Sequence, residues 1–137
     1  VSFDQIETDE TFAVLEELIQ LSRLHNFRII FFFSPLYSEF YLNYAEAMFN
    51  VKERLALLTD YYDFSGFNNI TKNALNYYEE SHYRYRVGDM IIKRIFGSGD
   101  AQVPHDFGFL VTRENVTQHI SQQRNDLEQY LKTNQLR

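Results

Sequence analysis

Phe27-Arg28-Ile29-Ile30-Phe31-Phe32-Phe33-Ser34-Pro35 is the stretch on which the fold turns. After Arg28 it is an unbroken series of β-branched and aromatic side chains, the composition that favours extended backbone. No polar residue alternates through it to mark a solvent face. The run therefore reads as a strand buried on both faces of a helix-covered sheet. Ser34-Pro35 ends it, because Pro cannot continue a central ladder. Upstream, Thr8-Asp9-Glu10-Thr11 reads as a helix opening, with acidic side chains near its positive end. Val14, Leu15, Leu18, Ile19 and Leu21 then recur at helical steps. His25-Asn26 closes that helix, Asn tolerating the left-handed conformation.

Downstream, residues 38–49 and 51–58 read as helix, with Asn50 as a possible break. Asp60 to Phe64 is a second strand, stopped by Ser65-Gly66, and Asn68 to Tyr78 is loop with a turn of helix. Arg84 to Phe96 is helical, with Val87, Ile91, Ile92 and Ile95 on one side. Gly97-Ser98-Gly99-Asp100 is the clearest flexible break. Beyond it, Phe107 to Val111 is extended, and Thr112 caps a long amphipathic helix carrying Val116, Ile120, Leu127 and Leu131. This succession predicts an α/β layered domain with a small parallel sheet and flanking helices. Residues 1–137 form a single domain, of which 98–137 are a C-terminal extension. Two firm strands make a small sheet, and no Met opens the chain, so a piece of a longer protein is expected.

Composition narrows the function classes. With 45% apolar and 23% charged residues, the 137-residue chain can fold around a core of its own. A formal charge of −6 argues against nucleic acid or an anionic membrane as partner. The absence of cysteine excludes disulfides, thiolate metal sites and a cysteine nucleophile. The longest strongly apolar run, Ile29 to Phe33, is far too short to cross a bilayer. The four histidines lack metal-ligand spacing, and no Gly-rich phosphate loop is present, so neither metal nor organic cofactor is expected.

The chemistry-bearing segment is Tyr77-Tyr78-Glu79-Glu80-Ser81-His82-Tyr83-Arg84. A general base needs an imidazole whose second nitrogen is held by an acceptor, which fixes the tautomer and stabilises the imidazolium. Glu79, three residues ahead of His82, is placed to be that acceptor across one turn. Ser81 adjoins His82, and Ser34 sits at a strand end, where α/β sheets present functional groups. Both are pocket candidates. The interleaved Tyr83-Arg84-Tyr85-Arg86 reads as aromatic packing with solvated arginines, and Arg84 or Arg86 is a candidate contact for an anionic sugar. His105-Asp106 is a possible turn pair, and His119 is assigned to a helix surface.

The order of blocks extends this reading. Phe31-Phe32-Phe33-Ser34-Pro35, Tyr62-Asp63-Phe64-Ser65, Asn76 to Arg84, Val87-Gly88-Asp89 and Pro104 to Gly108 follow one another. The series resembles the C-terminal portion of bacterial SGNH (GDSL-type) hydrolase-like proteins, a group met in cell-envelope polysaccharide modification. The resemblance runs from about Thr8 onward and spans only the later part of the family domain. It implies a three-layer, flavodoxin-like fold or its C-terminal half, with His82 as general base and Glu79 as the carboxylate that orients it. Most of the family has Asp where Glu79 stands, and Glu80 has the wrong spacing. The family's Gly-Asp-Ser turn has no counterpart here: Gly88-Asp89 is followed by Met90, and Gly99-Asp100 by Ala101. The resemblance thus implies ester hydrolysis or acyl transfer on an acylated carbohydrate by the complete protein, in the cell envelope or periplasm. The chain alone is expected to be inactive. The alternative is a non-catalytic structural or interaction module that retains the fold.

Overall fold

Eleven elements appear in a computed structural model that describes residues 5–135, with side chains from Thr8 onward. In chain order they are α1 (Gln5–Leu24), β1 (Phe31–Phe33), α2 (Ser38–Tyr41), α3 (Ala45–Leu58), β2 (Tyr61–Asp63), a 3-10 turn (Ala74–Asn76), β3 (Tyr77–Glu79), β4 (His82–Tyr83), α4 (Tyr85–Phe96), β5 (Phe109–Val111) and α5 (Val116–Gln135). The main sheet has the order β1-β2-β5, and β3-β4 is a separate two-stranded hairpin. The domain is mixed α/β, a small sheet with flanking helices.

Among the described residues only the β1–β2 pair is parallel, with Phe31 opposite Tyr61 and Phe33 opposite Asp63. β5 runs antiparallel to β2, Val111 facing Tyr61 and Phe109 facing Asp63. The expectation of a wholly parallel sheet is corrected accordingly. Side-chain alternation then divides the sheet. Phe31, Tyr61 and Val111 face a cluster that includes Phe49 and Leu55 of α3 and Ile120 and Leu127 of α5. On the other side Tyr62 packs with Phe64, Ile70, Phe107 and, from α4, Val87 and Ile91.

Several sequence boundaries are also corrected. The extended run pairs only over Phe31–Phe33, and it lies at the sheet edge. Phe32 is 42% exposed, so the strand is not buried on both faces. The break between the two middle helices falls at residues 42–44, and Asn50 lies inside α3. Thr8 to Thr11 lie within α1, which is already helical at Gln5, and Asn26 takes the expected left-handed conformation (φ 54°). Ile92 is exposed, whereas Val87 and Ile91 are buried. α5 starts at Val116 after a turn in which the Asn115 side chain accepts from Thr112 N–H (2.9 Å). Its Val116, Ile120 and Leu127 are buried, with Leu131 partly so.

Gly108 fixes how β5 enters the sheet. Its φ is +85°, and a Cβ there would collide with the ring of Phe64, itself fully buried. Only glycine suits both constraints. Among the described residues, no helix is long and apolar enough to cross a membrane.

Candidate functional site

The β3–β4 hairpin carries the sequence-predicted pair. Glu79 lies opposite His82, and an irregularity in the pairing between Tyr77 and Glu79 turns the tip. A Glu79 carboxylate oxygen is hydrogen-bonded to Nδ1 of His82. Ser81 Oγ donates to the same oxygen (2.8 Å) and lies 3.2 Å from the same ring nitrogen. These bonds, from His82 first and Ser81 second, hold the Glu79 carboxyl below the usual carboxylate range. Both side chains are well exposed, 56% for Glu79 and 78% for His82. Nε2 of His82 makes no hydrogen bond among the described residues.

The hairpin is tied to the segment that leaves β1. Tyr37 N–H donates to Glu80 O (3.0 Å), and the Tyr77 hydroxyl donates to Pro35 O (3.0 Å). His82 therefore sits on an element attached to the carboxyl edge of the parallel pair, where open α/β sheets place their sites. Arg84 makes no hydrogen bond to the imidazole among the described residues. Its Nε donates to Tyr77 O (3.2 Å), and its guanidinium lies 4.6 Å from the centre of the Tyr78 ring. Ser34 is exposed before Pro35 and has no side-chain partner among the described residues.

A second constellation lies beneath α5, and sequence reasoning missed most of it. Asp63, at the carboxyl end of β2, and Lys52, in α3, form a salt bridge of 2.8 Å with no side-chain exposure on either partner. Lys52 Nζ also donates to Ser65 Oγ (2.7 Å), Gln123 Oε1 (2.7 Å) and the Tyr41 hydroxyl (3.0 Å). Asp63 Oδ1 accepts from the Ser65 amide and hydroxyl, and Oδ2 accepts from Gln123 Nε2 and from His119 Nε2 at 2.8 Å. Burial alone would raise the Asp63 pKa, but the Lys52 charge and the bonds from His119 and Lys52 outweigh it and hold it far below the usual range. Burial likewise opposes the charged form of Lys52, and the charge of Asp63 more than restores it.

His119 is thus no free surface residue. Its side chain is 11% exposed, pinned at Nε2 by Asp63 and packed against the Phe109 ring at 5.7 Å. The remaining edge of its imidazole borders a cleft of about 840 Å3 that runs along α5 past Asp63, Ser65 and Tyr37. His105-Asp106 forms no pair: Asp106 Oδ2 accepts instead from the Asn69 amide (2.8 Å). Among the described residues, no three His, Cys, Asp or Glu side chains converge to hold a metal ion.

Two periodicity signals pointed to this network. Lys52 falls on the apolar stripe of α3 between Phe49 and Leu55, and Gln123 falls on that of α5 between Ile120 and Leu127. A polar side chain on a buried stripe needs partners, because unpaired burial is costly. No protein-family model, curated protein or solved structure matches the chain.

Proposed function

We propose that this chain is the histidine-bearing, C-terminal part of an SGNH-like hydrolase that cleaves or transfers an acyl ester on a carbohydrate of the cell envelope. The observation that carries the reading is the Glu79 carboxylate on Nδ1 of His82, with Nε2 left open to solvent beside the carboxyl edge of the strands. A carboxylate there fixes the tautomer and stabilises the imidazolium formed during proton transfer. The helix–sheet–helix layering supports a flavodoxin-like arrangement, to which β5 adds an antiparallel strand.

In the reaction, a serine from outside this sequence attacks the ester carbonyl. His82 Nε2 removes the serine proton and then delivers it to the departing sugar oxygen. Water or an acceptor alcohol, deprotonated by the same imidazole, releases the acyl group and restores the serine. Ser81 does not fill this role, because its hydroxyl engages Glu79 and the Nδ1 side of the ring.

A second reading is supported by the unpartnered Nε2: a structural or interaction module that keeps the layers without the chemistry. Hydrolysis of short-chain nitrophenyl esters and acetylated sugars separates the two. The chain alone should be essentially inert, and the polypeptide extended by the sequence upstream in its gene should turn over. Substituting His82→Ala in the extended polypeptide should reduce kcat by at least ~10^3-fold. An extended polypeptide with no turnover, or with turnover indifferent to His82, leaves the module reading.

A further inference from the structure

We propose that the cleft beneath α5 is a binding site for a short, uncharged glycan. This deepens the reading above by giving the carbohydrate a place on the chain, and it rests on that reading only for the link to acyl chemistry. Binding itself needs neither a nucleophile nor His82.

The stripe that α5 turns to the cleft is built mainly from carboxamides. Gln118, Gln122 and Gln129 recur at helical steps along it, and Asn134 follows at its far end. A carboxamide presents donors and an acceptor together, the combination that matches a sugar hydroxyl, which both donates and accepts. Tyr37, Phe67 and Tyr130 form an aromatic end, with the Phe67 and Tyr130 rings 4.6 Å apart. Such surfaces suit the apolar C–H faces of a pyranose while the hydroxyls are satisfied elsewhere.

Charge selects against anions. The deepest carboxylate, Asp63, is matched by buried Lys52 and is not available as a free charge. Glu39, Asp106 and Asp126 still outnumber Lys72 around the opening, which disfavours phosphate and carboxylate ligands. Two groups at the site are left to be satisfied. Among the described residues, Oδ1 of Asp106 is buried with no hydrogen-bond partner, and Nδ1 of His119 has none. His119 lines the cleft, and a ligand hydroxyl, which can both donate and accept, suits Nδ1 in whichever role its tautomer gives it. The volume lies within the ~300–1,000 Å3 usual for small-molecule sites. Tyr37 joins the two places, since it borders the cleft while its amide holds the hairpin at Glu80.

Calorimetric titration of the chain with cellotriose, chitotriose and maltotriose tests the proposal, with spermidine and glucose 6-phosphate as charged probes. At least one neutral trisaccharide should bind with a dissociation constant at or below ~1 mM. Gln118→Ala/Gln122→Ala should weaken it at least tenfold. Both side chains are exposed, so the melting temperature of that variant should stay near wild type. Asn125→Ala, which removes an exposed carboxamide on the same helix but outside the cleft, should bind as wild type. The proposal is overturned if no neutral trisaccharide binds, if only spermidine or the sugar phosphate binds, or if the Gln118→Ala/Gln122→Ala variant binds normally. Glycan binding by the chain, with no His82-dependent turnover of acetylated sugars by the extended polypeptide, would remove the enzymatic reading and leave this one; turnover without glycan binding would do the opposite.

Discussion

Substituting Lys52→Met is the sharpest perturbation of the fold, because it removes one charge from a pair with no solvent exposure. The ammonium has four acceptors in reach: Asp63, Ser65, Gln123 and Tyr41. Methionine keeps most of the stem's packing, so the loss is electrostatic. Asp63 would retain its bonds from Ser65, Gln123 and His119 but lose its compensating charge. Breaking a buried pair from one side costs ~3–5 kcal/mol, mostly the penalty of stranding the other ion. For a chain of this length that corresponds to a fall in melting temperature of about 10–20 °C. The carboxylate pKa is depressed in the folded state, so its stabilisation is present above the ordinary carboxyl pKa and lost as pH falls through the lower folded value. The Lys52 pKa is raised, so its contribution is full below the ordinary ammonium pKa and lost as pH rises through the folded value. The pair therefore stabilises the whole neutral range, and the variant should become acid-sensitive at a higher pH. Adding Asp63→Asn should recover part of the loss by removing the stranded charge. Urea and thermal unfolding measure all of this. A Lys52→Met protein melting within ~2 °C of wild type would refute the reasoning.

Gly108→Ala places a Cβ against buried Phe64 at a positive φ, and should cost ~2–5 kcal/mol from backbone strain and overpacking, read by urea denaturation. Leu127→Ala opens a cavity between α5 and the core and should cost ~2–5 kcal/mol; an unchanged melt would show that α5 is not packed as described. The His82→Ala protein should show the Glu79 carboxyl titrating closer to its ordinary range by carbon-detected NMR, since the bond from His82 is the main cause of its depression.

The order of the helices and of the main-sheet strands was legible because periodicity reports burial, whereas the β3–β4 hairpin, too short and polar to show a pattern, was read as loop and turn. β2, α4, β5 and most of α5 fall where the apolar pattern places them. What the pattern could not convey was pairing. Phe31-Phe32-Phe33 has the composition of a central strand but lies at an edge, because side-chain chemistry does not record how many neighbours a strand has. The direction of β5 was hidden for the same reason. At the site, Glu79 and His82 were legible because they are neighbours in sequence, and a tight hairpin makes them neighbours in space. The Asp63 network was not, since Lys52, Asp63, His119 and Gln123 come from α3, β2 and α5 and meet only through tertiary packing. His119 looked like a surface residue because its helix is polar on three sides; its carboxylate partner lies 56 positions away.

The most direct test of the central claim is covalent labelling with a fluorophosphonate, which marks a serine only when a base activates it. The polypeptide carrying the upstream sequence should be labelled at one serine, mapped by mass spectrometry to that upstream region. Labelling should fall by at least ~10^3-fold in rate with His82→Ala and less severely with Glu79→Gln. A polypeptide that is not labelled, or is labelled at the same rate without His82, would contradict the assignment of His82 as the general base.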